Sequence, residues 1–159
     1  MTVTFAVFDI DGVLADVSHR LHHLQGRRKN WPGFFAAAGD DPLLDEGRAR
    51  VEAAAAEHAI VYLSGRPERM RRLTERWLVL HDLPAGALVL RPNRDRRPAR
   101  QLKPLLLAEV TRAGEVALVV DDDVAVCTAL RAAGYNVLHA QWAQESAVLR
   151  DAQERQGRS

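Results

Sequence analysis

At 159 residues the chain has room for a substantial core, and 47% hydrophobic with 27% charged residues is the composition of an ordinary globular protein. A net charge of +1 removes any bulk electrostatic case for binding nucleic acid or a membrane. One cysteine, Cys127, excludes an internal disulfide framework, and no apolar run is long enough to span a bilayer.

The N-terminus lacks the successive regions of a signal peptide, because Asp9 and Asp11 interrupt its apolar stretch, so a cytoplasmic location is expected. Of the 22 basic residues only Lys29 and Lys103 are lysines, which makes Lys103 conspicuous.

The apolar run beginning at Val3 is rich in Val and Phe and stops abruptly on Asp9, Asp11 and Gly12, as a buried strand does. Residues from Ala15 to about Asp45 read as an irregular, helix-rich insertion. Within it Ser18 is expected to cap a short helix through Arg20, Leu21 and Leu24. Trp31, Phe34 and Phe35 start another, closed by Gly39 and an Asp40-Asp41-Pro42 turn. The alanine-rich stretch from Asp45 to Glu57 has high helix propensity.

Ala59 to Leu63 is a second strand and runs straight into Ser64-Gly65-Arg66-Pro67, where Pro67 suits the first turn of a helix carrying Leu73, Trp77 and Leu80. A third strand covers Ala87 to Leu90, a basic loop Arg91 to Arg100, and a helix Leu102 to Val110. The fourth strand, Val116 to Val120, ends in Asp121-Asp122-Asp123. A helix from Val124 to Ala133, a strand from Tyr135 to His139 and a polar helix expected to fray complete the chain.

Strands alternating with helices predict an α/β fold, a Rossmann-like three-layer α/β/α sandwich on a mostly parallel five-stranded sheet, with a small helical insertion after strand 1. No repeat or linker marks a second domain, so residues 1–159 are expected to form one.

Three predicted strands end in polar clusters, and parallel strands present their carboxyl ends along one edge. Each cluster alone has a plainer reading, since an Asp after a strand often caps the next helix. Together, four or five carboxylates at one edge repel unless a cation or shared protons compensate, and Mg²⁺ is the natural hard partner for oxygen ligands.

In this order and on these elements, Asp9-Ile10-Asp11-Gly12-Val13, Ser64, Lys103 and Asp121-Asp122 resemble the four motifs of the haloacid dehalogenase-like (HAD) phosphohydrolases. The resemblance implies a Mg²⁺-dependent phosphomonoesterase in which Asp9 is the nucleophile that forms an aspartyl-phosphate and Asp11 the general acid and base. It further implies that Ser64 and Lys103 hold the phosphoryl group, and that Lys103 keeps Asp9 ionised. Asp9, the Asp11 main-chain carbonyl and Asp121 or Asp122 would hold the metal, with Asp123 a bystander.

Ser64-Gly65-Arg66 and an arginine eleven residues beyond Asp9, Arg20, are similar to the 3′-phosphatase domain of phage polynucleotide kinase–phosphatases. That likeness implies that Arg20, Gly65 and Arg66 belong to substrate binding and that the substrate is a polynucleotide 3′-phosphate or a nucleotide. It also allows for a separate kinase or ligase partner. Two departures stand against it. The stretch before Lys103, Pro98 to Leu102, carries no acidic residue, and no Gly-x-x-x-x-Gly-Lys-Ser/Thr kinase loop occurs in these residues.

The insertion of about thirty residues is too short for a full lid, which suits a polynucleotide end or a small nucleotide bound with help from a partner subunit. The arginines of the Arg91–Arg100 loop offer contacts to a phosphate backbone, or are simply solvated. His19, His22 and His23 lack the partners of a zinc site. Trp31, Phe34 and Phe35 read as packing anchors rather than a base-stacking platform, and Trp77 and Cys127 as core.

Alternatives are a small-molecule phosphatase of 5′-nucleotidase or sugar-phosphate type, a phospho-acceptor domain, or a non-catalytic nucleic-acid binder. Receiver domains place their lysine after the acceptor Asp, whereas here Lys103 precedes Asp121-Asp122.

Overall fold

The computed structural model of the chain describes residues 2–159. Five strands form one sheet: β1 (Thr4–Phe8), β2 (Ala59–Pro67), β3 (Gly86–Arg91), β4 (Glu115–Asp121) and β5 (Val137–His139). Their order is β3-β2-β1-β4-β5 and every pairing is parallel. Among the described residues six α-helices accompany them: α1 (Trp31–Ala36), α2 (Asp45–Ala55), α3 (Arg71–Leu80), α4 (Ala99–Thr111), α5 (Val124–Ala132) and α6 (Ala147–Glu154). No helix among the described residues is long and apolar enough to cross a membrane.

Because strand side chains alternate, the buried runs split between two faces. Ala6 and Phe8 face one way with Ile60 and Tyr62, and pack against Val51 of α2 and Trp77 of α3. Val7, Val61 and Val119 face the other and meet Leu107 of α4 and Cys127 and Leu130 of α5. The result is the expected three-layer sandwich with a helical insertion after β1.

The insertion differs from its sequence reading in detail. Residues 18–24 wind as a 3-10 helix, and Ser18 is its first residue rather than its cap. The Asp16 carboxylate instead accepts from the Ser18 amide and hydroxyl. The strand β2 runs on to Pro67, so Ser64-Gly65-Arg66 are held in extended backbone, and α3 opens at Arg71 instead of Pro67.

The terminal helix is also better fixed than its polarity predicts. Leu149 and Ala152 of this helix are buried with Val17, Leu24 and Phe34 of the insertion. Arg100 Nη1 holds Glu154 at 2.6 Å.

Candidate active site

At the centre of the sheet the connections reverse direction between β1 and β4, the place where α/β sheets open a crevice at their carboxyl edge. Asp9 lies one residue past β1, and its amide donates to Val120 O at 2.9 Å, which ties it to the end of β4. Asp11, Arg66 at the end of β2, Asp121 at the end of β4 and Lys103 from α4 converge on it. Asp9, Asp11, Arg20, Ser64, Arg66, Lys103 and Asp121 are all buried.

One carboxylate oxygen from each of Asp9, Asp121 and Asp122 lies within 4.8 Å of the others, the one such metal-competent group among the described residues. Lys103 Nζ donates to Asp121 Oδ2 at 2.6 Å and stands 3.2 Å from Asp9 Oδ2. The second contact is an ion pair without hydrogen-bond geometry, so Asp9 Oδ2 and Asp122 Oδ1 are buried with no donor. Three carboxylates against one ammonium leave a charge of −2, which a divalent cation offsets. The residues present therefore fit a hard metal ion held by oxygen.

The electrostatics agree. Burial, with the charges of Asp121 and Asp11, pushes Asp9 up to about 7 against the pull of Lys103. Burial and the Asp9 charge likewise hold Asp122 well above the carboxylate range. In the absence of a metal ion Lys103 alone does not offset that rise. Desolvation and neighbouring carboxylates outweigh it, and Lys103 is turned mainly to Asp121.

Asp11 has different company. Arg66 reaches its Oδ1 through Nε at 3.1 Å and Nη2 at 2.6 Å, and Arg20 Nη2 does so at 3.1 Å. Burial alone would raise the Asp11 carboxyl, but these two guanidiniums hold it well below the usual range. Behind them stands Asp41, which accepts from Arg20 Nε and Nη2 at 2.8 and 2.9 Å and from Arg66 Nη2 at 3.2 Å. His19 Nε2 lies 2.7 Å from the same carboxylate. Two acids and two arginines thus form a closed, charge-balanced square. The Asp11 side chain faces that square, leaving its main-chain carbonyl as its available metal ligand.

Gly12 makes the approach of the two halves feasible. It sits at φ +81°, and a Cβ there would fall 2.1 Å from Asp122 Oδ2. A side chain would therefore push the Asp122 ligand away.

Ser64 Oγ accepts from the Arg66 amide at 3.1 Å, and Gly65 O accepts from Arg91 Nε at 2.9 Å. Against Gly65 lies Ser159, whose hydroxyl donates to Asp11 Oδ2 at 3.0 Å. Beside Gly12 and Asp122 a cleft of about 670 Å³ opens toward His22, His139 and Gln153.

Other sequence candidates settle into structural parts. Asp123 caps α5 by accepting from the Ala125 amide. His22 and His23 pack ring to ring at 4.1 Å, and His19 serves Asp41. Phe34 and Phe35 are buried, and Arg20 lies 4.2 Å over the Phe34 ring. Trp77 is core and donates from Nε1 to Asp41 O at 2.8 Å.

In the basic loop, Arg91 is buried and binds main-chain carbonyls, Arg97 is chelated by Asp95, and Arg100 pairs with Glu154. Arg94 and Arg96 make no carboxylate pair among the described residues.

Sequence reasoning passed over Asp41 and Ser159. Asp41 lies in an Asp-Asp-Pro stretch whose local signal is a turn, and its role depends on two arginines 21 and 25 residues away. Ser159 had no local signal.

The model of the polynucleotide kinase PNKP phosphatase domain, a HAD family, matches residues 4–144. No curated protein matches the sequence. Among solved structures, the chain resembles one in the Pnkp1/Rnl/Hen1 RNA repair complex with TM-score 0.74 and 22% identity, over 91% of this chain and 44% of that one.

A class C acid phosphatase from Bacillus anthracis with tungstate bound gives TM-score 0.66 at 13% identity, over 96% and 78% of the two chains. A haloacid dehalogenase-like hydrolase, SP0104 from Streptococcus pneumoniae, gives 0.66 at 12%, over 96% and 91%. At these identities the likeness is one of fold. The chain spans less than half of the repair-complex subunit it matches.

Proposed function

The chain belongs to the family of the polynucleotide kinase PNKP phosphatase domain, and from that premise we propose a phosphomonoesterase that removes a 3′-phosphate from a polynucleotide end or nucleotide. The observation that carries the chemistry is the Asp9–Asp121–Asp122 cluster with Lys103 beside it.

Asp9 Oδ2, which lacks a hydrogen-bond donor, is the attacking oxygen. It forms a bond to phosphorus as the ester oxygen leaves, giving an aspartyl-phosphate that water then hydrolyses. Asp9, Asp121, Asp122 and the Asp11 carbonyl would hold Mg²⁺, which when bound neutralises charge on the carboxylates and the phosphoryl oxygens. Lys103 and Ser64 face the phosphoryl group. Asp11 gives a proton to the leaving oxygen and takes one from the hydrolytic water, and Arg20 and Arg66, which hold it ionised in this structure, have to release it for that exchange.

The 3′-polynucleotide substrate rests on the family, with support from an insertion too small to close over the site. A working partner, a ligase or a kinase on another chain, is in keeping with the likeness to an RNA repair complex subunit. A second reading, a small nucleotide, is favoured by the cleft beside Asp122, whose volume is in the range of small-molecule sites.

The test is phosphate release from a 3′-phosphorylated oligonucleotide, 3′- and 5′-mononucleotides and an aryl phosphate, with Mg²⁺ or EDTA. Turnover of the oligonucleotide that EDTA abolishes is expected. Strong preference for a 5′-nucleotide or the aryl phosphate would transfer the assignment to the second reading. No turnover of any substrate would end both.

A further inference from the structure

We propose that Arg69 and Arg158, seated on the Trp31–Phe35 ring pair, and Arg96 beside Arg158 form the surface along which a single-stranded polynucleotide runs into the site, an inference that rests on the polynucleotide reading above.

The surface is built from three separate parts of the chain. Trp31 and Phe35 of α1 lie with ring centroids 5.8 Å apart. The Arg158 guanidinium sits 5.0 Å over Trp31, and that of Arg69, just before α3, sits 5.2 Å over Phe35. Arg96 is added by the β3–α4 loop. Gly157, at φ +58°, presses so close to that loop that a Cβ would fall 2.1 Å from Arg96 O. Only glycine permits this seat, and the seat brings Arg158 alongside Arg96.

These three arginines have no acid, unlike Arg71, Arg97 and Arg100 nearby. Arg71 is held by Glu68, Arg97 by Asp95 and Arg100 by Glu154. Among the described residues no carboxylate pairs with Arg69, Arg96 or Arg158, and Arg96 spends its donors on the carbonyls of Asn93 and Asp95. Partial burial, then the charges of Arg96 and Arg69, lower the pKa of Arg158, so the three cations feel one another. Like charges held together against rings, unpaired, present a ready site for a polyanion.

The location matches the reading. Ser159 follows Arg158 directly and places its hydroxyl 3.0 Å from Asp11 Oδ2. Consecutive Cα atoms are about 3.8 Å apart, so the patch adjoins the reacting centre. Phosphates 5′ of the terminal nucleotide would meet the arginines while the 3′-phosphate lies at Asp9.

The experiment measures fluorescence anisotropy of a labelled single-stranded oligonucleotide with a 3′-hydroxyl, the reaction product, across a salt series. Arg69→Gln, Arg96→Gln and Arg158→Gln are tested singly and together, with Arg112→Gln at the far end of α4 as control. Each lost phosphate contact should lower the slope of log affinity against log salt by about 0.7. The triple variant should then be spared roughly 20-fold of the affinity the wild type loses between about 50 and about 200 mM salt.

Should Arg158→Gln disturb the fold by circular dichroism, the exposed pair Arg69→Gln/Arg96→Gln carries the test, with a slope lower by about 1.4. An unchanged slope in the folded variants, or an equal fall in Arg112→Gln, overturns the proposal. If the wild type hydrolyses the 3′-phosphorylated oligonucleotide while the slopes stay unchanged, the patch fails and the substrate reading stands. If it hydrolyses only the aryl phosphate, both fail.

Discussion

Asp41 grips Arg20 through both carboxylate oxygens, Nε to Oδ1 at 2.8 Å and Nη2 to Oδ2 at 2.9 Å, with both side chains wholly buried. Removing either partner strands a charge in the interior. Asp41→Ala is expected to destabilise the fold by about 3–5 kcal/mol and to depress turnover, because Arg20 and Arg66 then have only Asp11 to answer to. Urea unfolding and steady-state turnover of an aryl phosphate check this. Asp41→Asn, which keeps the shape, should fall between.

The crowded carboxylates make a prediction about pH without metal. Asp9 rises from the ordinary carboxylate value to about 7 on folding, and Asp122 is also raised. The folded state therefore binds more protons than the unfolded state across that window, so stability falls as pH rises from about 4 to about 7. In EDTA the melting temperature should drop over that range, by an amount on the order of a few kcal/mol in stability. Saturating Mg²⁺ should flatten the profile, and a pH-independent melting temperature in EDTA would remove the crowding argument.

Asp9→Asn takes away the attacking oxygen while relieving repulsion from Asp121 and Asp122. Turnover should vanish, and the melting temperature measured in EDTA at pH 8 should rise. Retained phosphate release would show that another group attacks phosphorus.

Gly12→Ala places a methyl where Asp122 Oδ2 lies, on a backbone at φ +81°. A cost of about 1–3 kcal/mol is expected from the conformation, together with weaker Mg²⁺ binding by calorimetry. A stable variant with unaltered metal affinity would show that the loop can shift without moving Asp122.

Cys127 is fully buried and its Sγ donates to Asp121 O at 3.4 Å. Burial and the Asp121 charge push the thiol up to about 12. A thiol reagent should leave the native protein untouched at pH 8 and titrate one group after denaturant is added.

The fold was legible because its signals are local. Val7 and Phe8 face opposite helices, and that alternation, with the helix periods of α3 and α4, is written residue by residue. The catalytic carboxylates were legible because each terminates a strand, and parallel strands share an edge.

What escaped was anything set by meeting across the sequence. Nothing near Asp41 announces Arg66, 25 residues on, and nothing near Arg66 says that it faces Asp11, 55 residues back. The metal-free balance between Lys103 and the buried acids was hidden for the same reason. A sequence gives the charges but not the desolvation that decides between them.

Arg20 and Asp41 also bear on what can be exchanged in this insertion. Because they fasten Arg66 and Asp11 from within it, replacing the whole of residues 15–45 to retarget the enzyme would dismantle the side of the site proposed above to handle the proton. Residues 25–30 are different: all six are exposed, and the bonds they make stay within the insertion. That short rim is where a designer can graft a new specificity loop.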